Sequence, residues 1–360
     1  MRLRRLKAPA FFPVAYYHCV SRVVDRQFVL KEEEKDKLVE YMRIYERFGG
    51  LRVISYCIMS NHFHILVEVP QRPDEAALPH DAGLVARVRD CLGDKLANEL
   101  EWQLGLHRKQ ENHSAAEELR DRWFGRMWDI SAFMKVLKQR FTQWFNGRYA
   151  RRGTLWEDRF RSVLVEGRGQ ALRAMAAYID LNPVRAKICD DPKDYRWCGY
   201  AEAVAGGKEA REAVEFLASL NPHGGMKPSA ATAAEPKEAL RRWRCHLFGI
   251  PENEARQKAE ASKGEMAAVY RDRIPREKAL EVLVRGGKLS EADYLRCKVR
   301  YFSDGAVIGG KAFVNEMFAA FRDRFGPRRK DGARPLRGLA GESVDERLFN
   351  LRQLRTKVFG

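Results

Sequence analysis

The stretch 51-LRVISYCIMSNHFHILVEVP-70 decides the fold. It holds two runs rich in β-branched and aromatic residues, LRVISYCIM and HFHILVEVP, on either side of Ser60-Asn61. Two such runs around a short polar turn read as a β-hairpin. Side chains alternate across a strand, so His62 and His64 leave one face of the second run while Phe63 and Ile65 enter the other. Two imidazoles on one strand face can chelate a single divalent ion, although an isolated HxH is more often a pair of polar surface residues.

Working outward, 15-AYYHCVSRVV-24 has strand composition, and Glu32 to Phe48 places Leu38, Tyr41, Met42 and Tyr45 at helical spacing before Gly49-Gly50 ends the run. A strand, a helix and a two-stranded hairpin make an α+β pattern. Over about 71–127, Leu84, Val88, Leu92, Leu96, Leu100 and Leu104 recur every four residues, which predicts a helical insertion with one buried stripe and a solvated charged face. Ser131 to Tyr149 predicts another helix, TLWEDRFRSVLVE a turn and a strand, and LRAMAAYIDL a short helix that stops near Asn182-Pro183, because a residue before proline avoids the α region. This gives an α+β domain over 1–202, a linker rich in Ala, Gly and Pro over 203–238, and a basic, mostly α-helical domain over 239–360. No repeat of fixed period is visible.

The 360 residues carry Lys+Arg 66 against Asp+Glu 49, a net charge of +17, and 45% hydrophobic content, enough for a real core. Such an excess of cations suits a polyanion, above all nucleic acid. No apolar run reaches the ~20 residues that span a bilayer, and the N-terminus lacks a secretion signal, so no membrane partner is expected. Seven scattered cysteines without a CxxC pair argue against a disulfide scaffold and a zinc ribbon, and for a reducing, cytoplasmic location.

A second chemical feature lies in AAYIDLNPVRA, where Tyr178 and Asn182 are four apart. If the helix reaches Asn182, both face the same way, and a phenol and an amide could approach one metal-bound phosphate. Equally, Asn182-Pro183 is a good helix start, and Tyr178 could simply be core. The order of YYHCVSR, YCIMSNHFHILVEV, FMKVLKQRFTQWFN, GTLWEDRFRS, YIDLNPVRA and DYRWCGY, from about Tyr16 to Tyr200, resembles the single-tyrosine HUH nucleases. It is most similar to the REP-associated tyrosine transposases, relatives of insertion-sequence transposases.

The resemblance implies that 1–202 is a catalytic domain built on a ferredoxin-like or RRM-like antiparallel sheet with helices on one face. It also implies Mg²⁺ or Mn²⁺ held by His62, His64 and Asn182, and attack by Tyr178 on single-stranded or hairpin DNA. Asp180 and His18 are alternative third ligands, but on a regular helix Asp180 faces away from the side that carries Tyr178. A phenol titrates near ~10 in water, so a tyrosine nucleophile needs help to lose its proton. The implied products are a 5′-phosphotyrosine and a free 3′-OH that can reverse the reaction; no GxxxxGK[ST] phosphate loop is present or needed.

Lys138 and Arg140, and Arg159 and Arg161 near Trp156, mix cations with aromatics in a way that suits unpaired DNA, or else forms core and solvated face. The run RDRFGPRRKDGARPLRG holds seven cations against two aspartates and suits a DNA backbone or a solvated tail. The competing functions are a catalytically silent DNA- or RNA-binding protein, and a metallohydrolase that uses metal-bound water. A nucleoid association and a homodimer are further expectations of the resemblance, which equally allows a monomer.

Overall fold

The structure is a computed structural model that describes residues 6–220, 236–250, 275–340 and 347–351. Strand β1 (Val14–Arg22) is followed by helix α1 (Glu32–Gly49), whose first turn is Glu32, Glu33 and Glu34, acids that favour the positive end of the helix dipole. The helix stops at Gly50, in the left-handed conformation at φ 62°, which glycine adopts without a Cβ penalty. The hairpin follows where the alternation places it, as β2 (Arg52–Ile58) and β3 (His62–Pro70), paired antiparallel. β1 lies on the other side of β3, with Arg22 opposite His62 and Val20 opposite His64.

The insertion is helical: α2 (Asp81–Leu92), α3 (Asp94–Lys109) and α4 (His113–Phe124). The four-residue leucine repeat is split between α2 and α3 at Gly93, whose φ of 94° and ψ of 164° only glycine adopts readily. Leu84 and Val88 on α2 and Leu100 and Leu104 on α3 are buried, so the repeat becomes two helices packed on each other. α5 (Ile130–Arg148) is capped by Asp129, whose carboxylate accepts the N–H groups of Ser131 and Ala132 at 2.7 and 2.8 Å.

β4 (Arg161–Val165) pairs antiparallel with β1, with Arg161 opposite Val20. Next come α6 (Gly169–Asp180), the four-residue α7 (Asn182–Arg185), α8 (Gly199–Ala205) and α9 (Lys208–Ser219). Helix α9 occupies part of the segment expected to be a linker over 203–238. It buries Ala210, Ala213, Val214 and Leu217, an i, i+3, i+4, i+7 stripe hidden in an alanine-rich composition. Residues 221–235 of that segment lie outside the described residues.

The C-terminal region supplies α10 (Pro236–Phe248), α11 (Arg276–Val284), α12 (Glu291–Arg296), α13 (Tyr301–Asp304) and α14 (Lys311–Ala320). It also supplies β5 (Val307–Gly309), β6 (Arg334–Pro335) and β7 (Phe349–Asn350). β5 pairs parallel with β4, and the whole sheet runs β2-β3-β1-β4-β5-β7-β6. The fold is therefore α+β with a mostly antiparallel sheet, to which the C-terminal region adds strands as well as the expected helices.

Helices cover both faces of the sheet, where the resemblance implied one. On the face of Phe63 and Ile65, Trp156 meets Phe63 edge-on at 5.3 Å and Phe141 of α5 at 5.8 Å, and α5 packs on α1. On the face of His62 and His64 lies α6: buried Asp180 accepts the Ser55 hydroxyl of β2 at 2.8 Å and the Trp243 indole N–H of α10 at 2.9 Å. This second face carries the candidate site. Among the described residues no helix is long and apolar enough to cross a membrane.

Candidate active site

Register across three strands builds the floor. Paired residues point the same way, so Arg22, Val20 and His18 of β1 share a face with His62 and His64 of β3 and with Arg161 of β4. His18 is fully buried, and its two ring nitrogens are both engaged. Nδ1 lies 2.7 Å from the carbonyl oxygen of Phe302, and Nε2 lies 2.8 Å from Nδ1 of His64. Burial holds all three imidazoles below their ordinary range: His18 at about 4, His62 at about 3, and His64 well below it, with neighbouring cations or histidines adding to the effect.

Neutral rings and these partners fix the tautomers. A carbonyl can only accept, so His18 Nδ1 carries the proton and donates it to Phe302. His18 Nε2 is then an acceptor, so His64 Nδ1 donates to it, and His64 Nε2 is left with its lone pair free. His62 reaches the same state by another route: its Nδ1 donates to Asn61 Oδ1 at 2.6 Å, while Asn61 Nδ2 donates to the Arg26 carbonyl at 3.1 Å and so fixes the amide orientation. Both histidines of the HxH thus present an unprotonated Nε2, the form in which imidazole binds a metal.

Tyr178, near the end of α6, faces these rings, its centroid 6.4 Å from those of His18 and His64. Phe302 of α13 stacks on it at 4.7 Å with planes 16° apart, and the Arg185 guanidinium sits 3.8 Å from its centroid. At those separations Phe302 and Arg185 cannot share a face, so they clamp the phenol between them. Tyr178, Asn182 and Arg185 fall four and three residues apart, and the chain keeps helical hydrogen bonds through Leu181, which puts all three on one stripe. Asp180 points away from it to Ser55 and Trp243, and burial raises its carboxyl to about 7.

These groups line a cleft of about 680 Å³ to which Tyr178, His62, His64 and Asn182 all contribute. Eight lining residues are Arg or Lys and three are Asp or Glu, so the cleft is strongly cationic. Arg159 and Arg161, expected to contact DNA, line it, although Arg161 also pairs with Asp304 at 2.8 Å. Lys138, Arg140 and Trp156 do not. Trp156 is core, with its indole N–H donated to the Lys138 carbonyl at 3.2 Å; Lys138 reaches the Asp158 carbonyl at 2.7 Å, and Arg140 lies beside the Tyr45 phenol of α1 on the far face. None of the seven cations from Arg322 to Arg337 lines the cleft. Arg322 and Arg329 donate instead to carbonyls of their own loop.

Sequence reasoning missed Arg22 and Arg26 beside the histidines, Arg185 beside the tyrosine, and Arg276, Lys298 and Arg300 from the C-terminal region. Two of these were within reach: Arg22 is in strand register with His62, and Arg185 is seven residues after Tyr178 on a helical stripe. The last three have no local signal, because only the tertiary fold returns them to β1.

The donor set fits a divalent ion through an amide. Among the described residues no group of three or more His, Cys, Asp or Glu side chains could hold a metal. Two free imidazole Nε2 atoms need a third protein donor, and Asn182, 8% exposed, turns a buried Nδ2 with no partner toward the cleft. Rotating that amide brings its oxygen to the same place. An orphaned buried polar atom is uncommon and calls for a ligand. His18 is not available as a donor, since both its nitrogens are in use.

The resemblance in the motifs implied that a histidine pair and a tyrosine meet at one site, and the fold brings the pair on β3 and Tyr178 of α6 together at a basic cleft. More narrowly, the family model of the IS200-like transposases matches residues 12–76. That stretch runs from β1 through β3 and includes both histidines, but stops before Tyr178. No protein of curated function matches the sequence. Among solved structures, a REP-associated tyrosine transposase bound to a REP hairpin is similar at 13% identity and a TM-score of 0.35, over 57% of this chain and 87% of that one. A superposition that loose adds nothing to the fold described above.

Proposed function

We propose that this chain is a metal-dependent single-strand DNA endonuclease and transposase that cleaves and rejoins hairpin DNA through a 5′-phosphotyrosine on Tyr178. The observation that carries the reading is the Tyr178 ring beside two imidazoles whose Nε2 lone pairs are free, in a cleft with eight cations. The match of residues 12–76 to IS200-like transposases supports it. A palindromic, REP-like hairpin as substrate rests on the motif resemblance.

In this mechanism His62, His64 and Asn182 would hold Mg²⁺ or Mn²⁺, which supplies Lewis acidity toward the scissile phosphate. The protein residues do the rest. Cations of the cleft hold the DNA backbone, and the clamp of Phe302 and Arg185 keeps the phenol oxygen aimed at phosphorus. Tyr178 Oη forms a bond to phosphorus as the P–O3′ bond breaks; the phenol proton is lost and the 3′ oxygen gains one. Attack by a 3′-OH on the phosphotyrosine reverses these changes and rejoins a strand. The tyrosine and histidines come from one chain, which supports a site that a monomer completes.

Labelled hairpin DNA incubated with protein and Mn²⁺ is expected to give a denaturant-stable protein-DNA adduct, absent with Tyr178→Phe. Cleavage without adduct that survives Tyr178→Phe would show a hydrolase using water. Tight DNA binding with no cleavage in any metal would show a silent binding protein.

A further inference from the structure

Arg185 is buried, at 6% exposure, yet its charge is not matched. Its Nη1 donates to the Leu295 carbonyl of α12 at 2.9 Å, and its Nη2 is buried with no partner at all. No carboxylate of the described residues lies within ion-pair distance of it, and Arg276 adds a charge of the same sign. Arg276 in turn donates to the Arg185 carbonyl at 2.8 Å, so the C-terminal region holds this residue at both its backbone and its guanidinium. Taking a cation out of water without a counter-charge is costly, and such groups survive where an anion arrives later.

Arg276 also has a buried nitrogen, Nε, with no partner, but of the cleft cations only Arg185 has its guanidinium against the Tyr178 ring among the described residues. Arg161 is exposed and paired with Asp304, and Arg159 is exposed at the rim. A phosphodiester in the cleft brings a negative charge to the Tyr178 ring, and that charge is greatest when the phenol oxygen attacks. We infer that Arg185 is a catalytic residue whose counter-charge is the scissile phosphodiester at the moment Tyr178 attacks it. This rests on the function proposed above and adds to it a cation supplied by the protein at the reacting centre, distinct from any metal. The guanidinium fits the task because it stays protonated and its central carbon lies 3.8 Å from the centroid of the attacking ring.

The test compares wild type with Arg185→Gln in single-turnover adduct formation, on a phosphodiester hairpin and on the same hairpin with a neutral methylphosphonate at the mapped cleavage position. On the phosphodiester, Arg185→Gln is expected to be slower by on the order of 100-fold, the usual scale for removing one group that stabilises transition-state charge. DNA affinity should stay within about 3-fold, since the other cleft cations hold the backbone. On the methylphosphonate the gap should close to about 3-fold, because the neutral centre no longer needs the cation. An equal gap on both substrates overturns the inference and makes Arg185 a structural residue.

Should Arg185→Gln not fold, Arg185→Lys keeps the charge and takes its place, with a smaller gap that must close in the same way. A measurement without metal or turnover runs in parallel: the guanidinium ¹⁵N resonance of Arg185 in wild type, identified by its loss in Arg185→Lys, followed as inorganic phosphate is added in EDTA. A saturable shift supports the inference, and an unmoved resonance overturns it. If wild type forms no adduct at all, the transesterase reading fails, while this titration still decides whether Arg185 is an anion site.

Discussion

Removing His18 should weaken the proposed metal site, which His18 does not touch. His18→Ala deletes the acceptor for the His64 Nδ1 proton and the donor to the Phe302 carbonyl, at a position with no solvent exposure. Each orphaned buried group costs about 1–3 kcal/mol, so the two together predict a loss of about 2–6 kcal/mol in unfolding free energy. The tautomer of His64 is then no longer imposed. Loss of a partner that orients a ligating imidazole typically lowers metal affinity by about 10–100-fold, equal to about 1.4–2.7 kcal/mol. His18→Gln separates the two effects: its amide oxygen can accept from His64, while the bond to Phe302 is lost. It should lose about 1–3 kcal/mol of stability and keep Mn²⁺ affinity within a few-fold of wild type. Denaturant unfolding gives the first quantity, and calorimetric titration of Mn²⁺ into DNA-free protein gives the second. Equal Mn²⁺ affinity in wild type and folded His18→Ala would refute the relay; an equally weak His18→Gln would show that the relay does not act through the His64 proton.

Two further outcomes follow from buried groups. Asn182→Ala should weaken Mn²⁺ binding by on the order of 10-fold, whereas Asn182→Asp, which only accepts, should bind at least as tightly as wild type; the same calorimetry checks both, and an unaffected Asn182→Ala removes the amide from the ligand set. His246 of α10 is held at about 3 by burial, with Arg173 adding to it, and its Nε2 has no partner. A histidine lowered from ~6.5 stays neutral in the folded chain while the unfolded chain takes up a proton, so its contribution is full above pH ~6.5 and is lost as pH falls toward 3. At pH 5 that amounts to at most ~2 kcal/mol, and His246→Gln should narrow the stability gap between pH 7.5 and pH 5 by that much in urea unfolding. A gap that does not change would mean the ring is already hydrated in the folded state.

The centre of the sheet was legible because its signals are local. The β2–β3 hairpin follows from composition and a two-residue turn, and the common face of His62 and His64 from alternation. Observed helices α1 and α5 begin and end within a residue or so of their hydrophobic periods. Tyr178 was different: the family motif selected it from 12 tyrosines, and only the fold shows its ring clamped beside the histidines. Trp156 misled for a related reason. A tryptophan between arginines looks like a stacking platform, but its neighbours Leu155 and Phe160 are buried with it, and burial followed the apolar residues.

The C-terminal region was hardest to read, and the reason is physical. β5 has three residues and β6 and β7 have two each, too short for alternation to register, and Val307–Gly309 sits in a stretch whose composition suggests short helices. Yet pairing β5 with β4 is what carries α13 to the histidine face. From there Phe302 supplies both its ring to Tyr178 and its carbonyl to His18, and α12 supplies the Leu295 carbonyl to Arg185. One segment therefore sets the orientation of the tyrosine, the tautomer of His64 and the position of the unpaired cation. Three contacts that depend on one docking event should be gained or lost together. The C-terminal region is then a structural part of the site, and its attachment to the sheet can govern whether the histidines and tyrosine are ready to act.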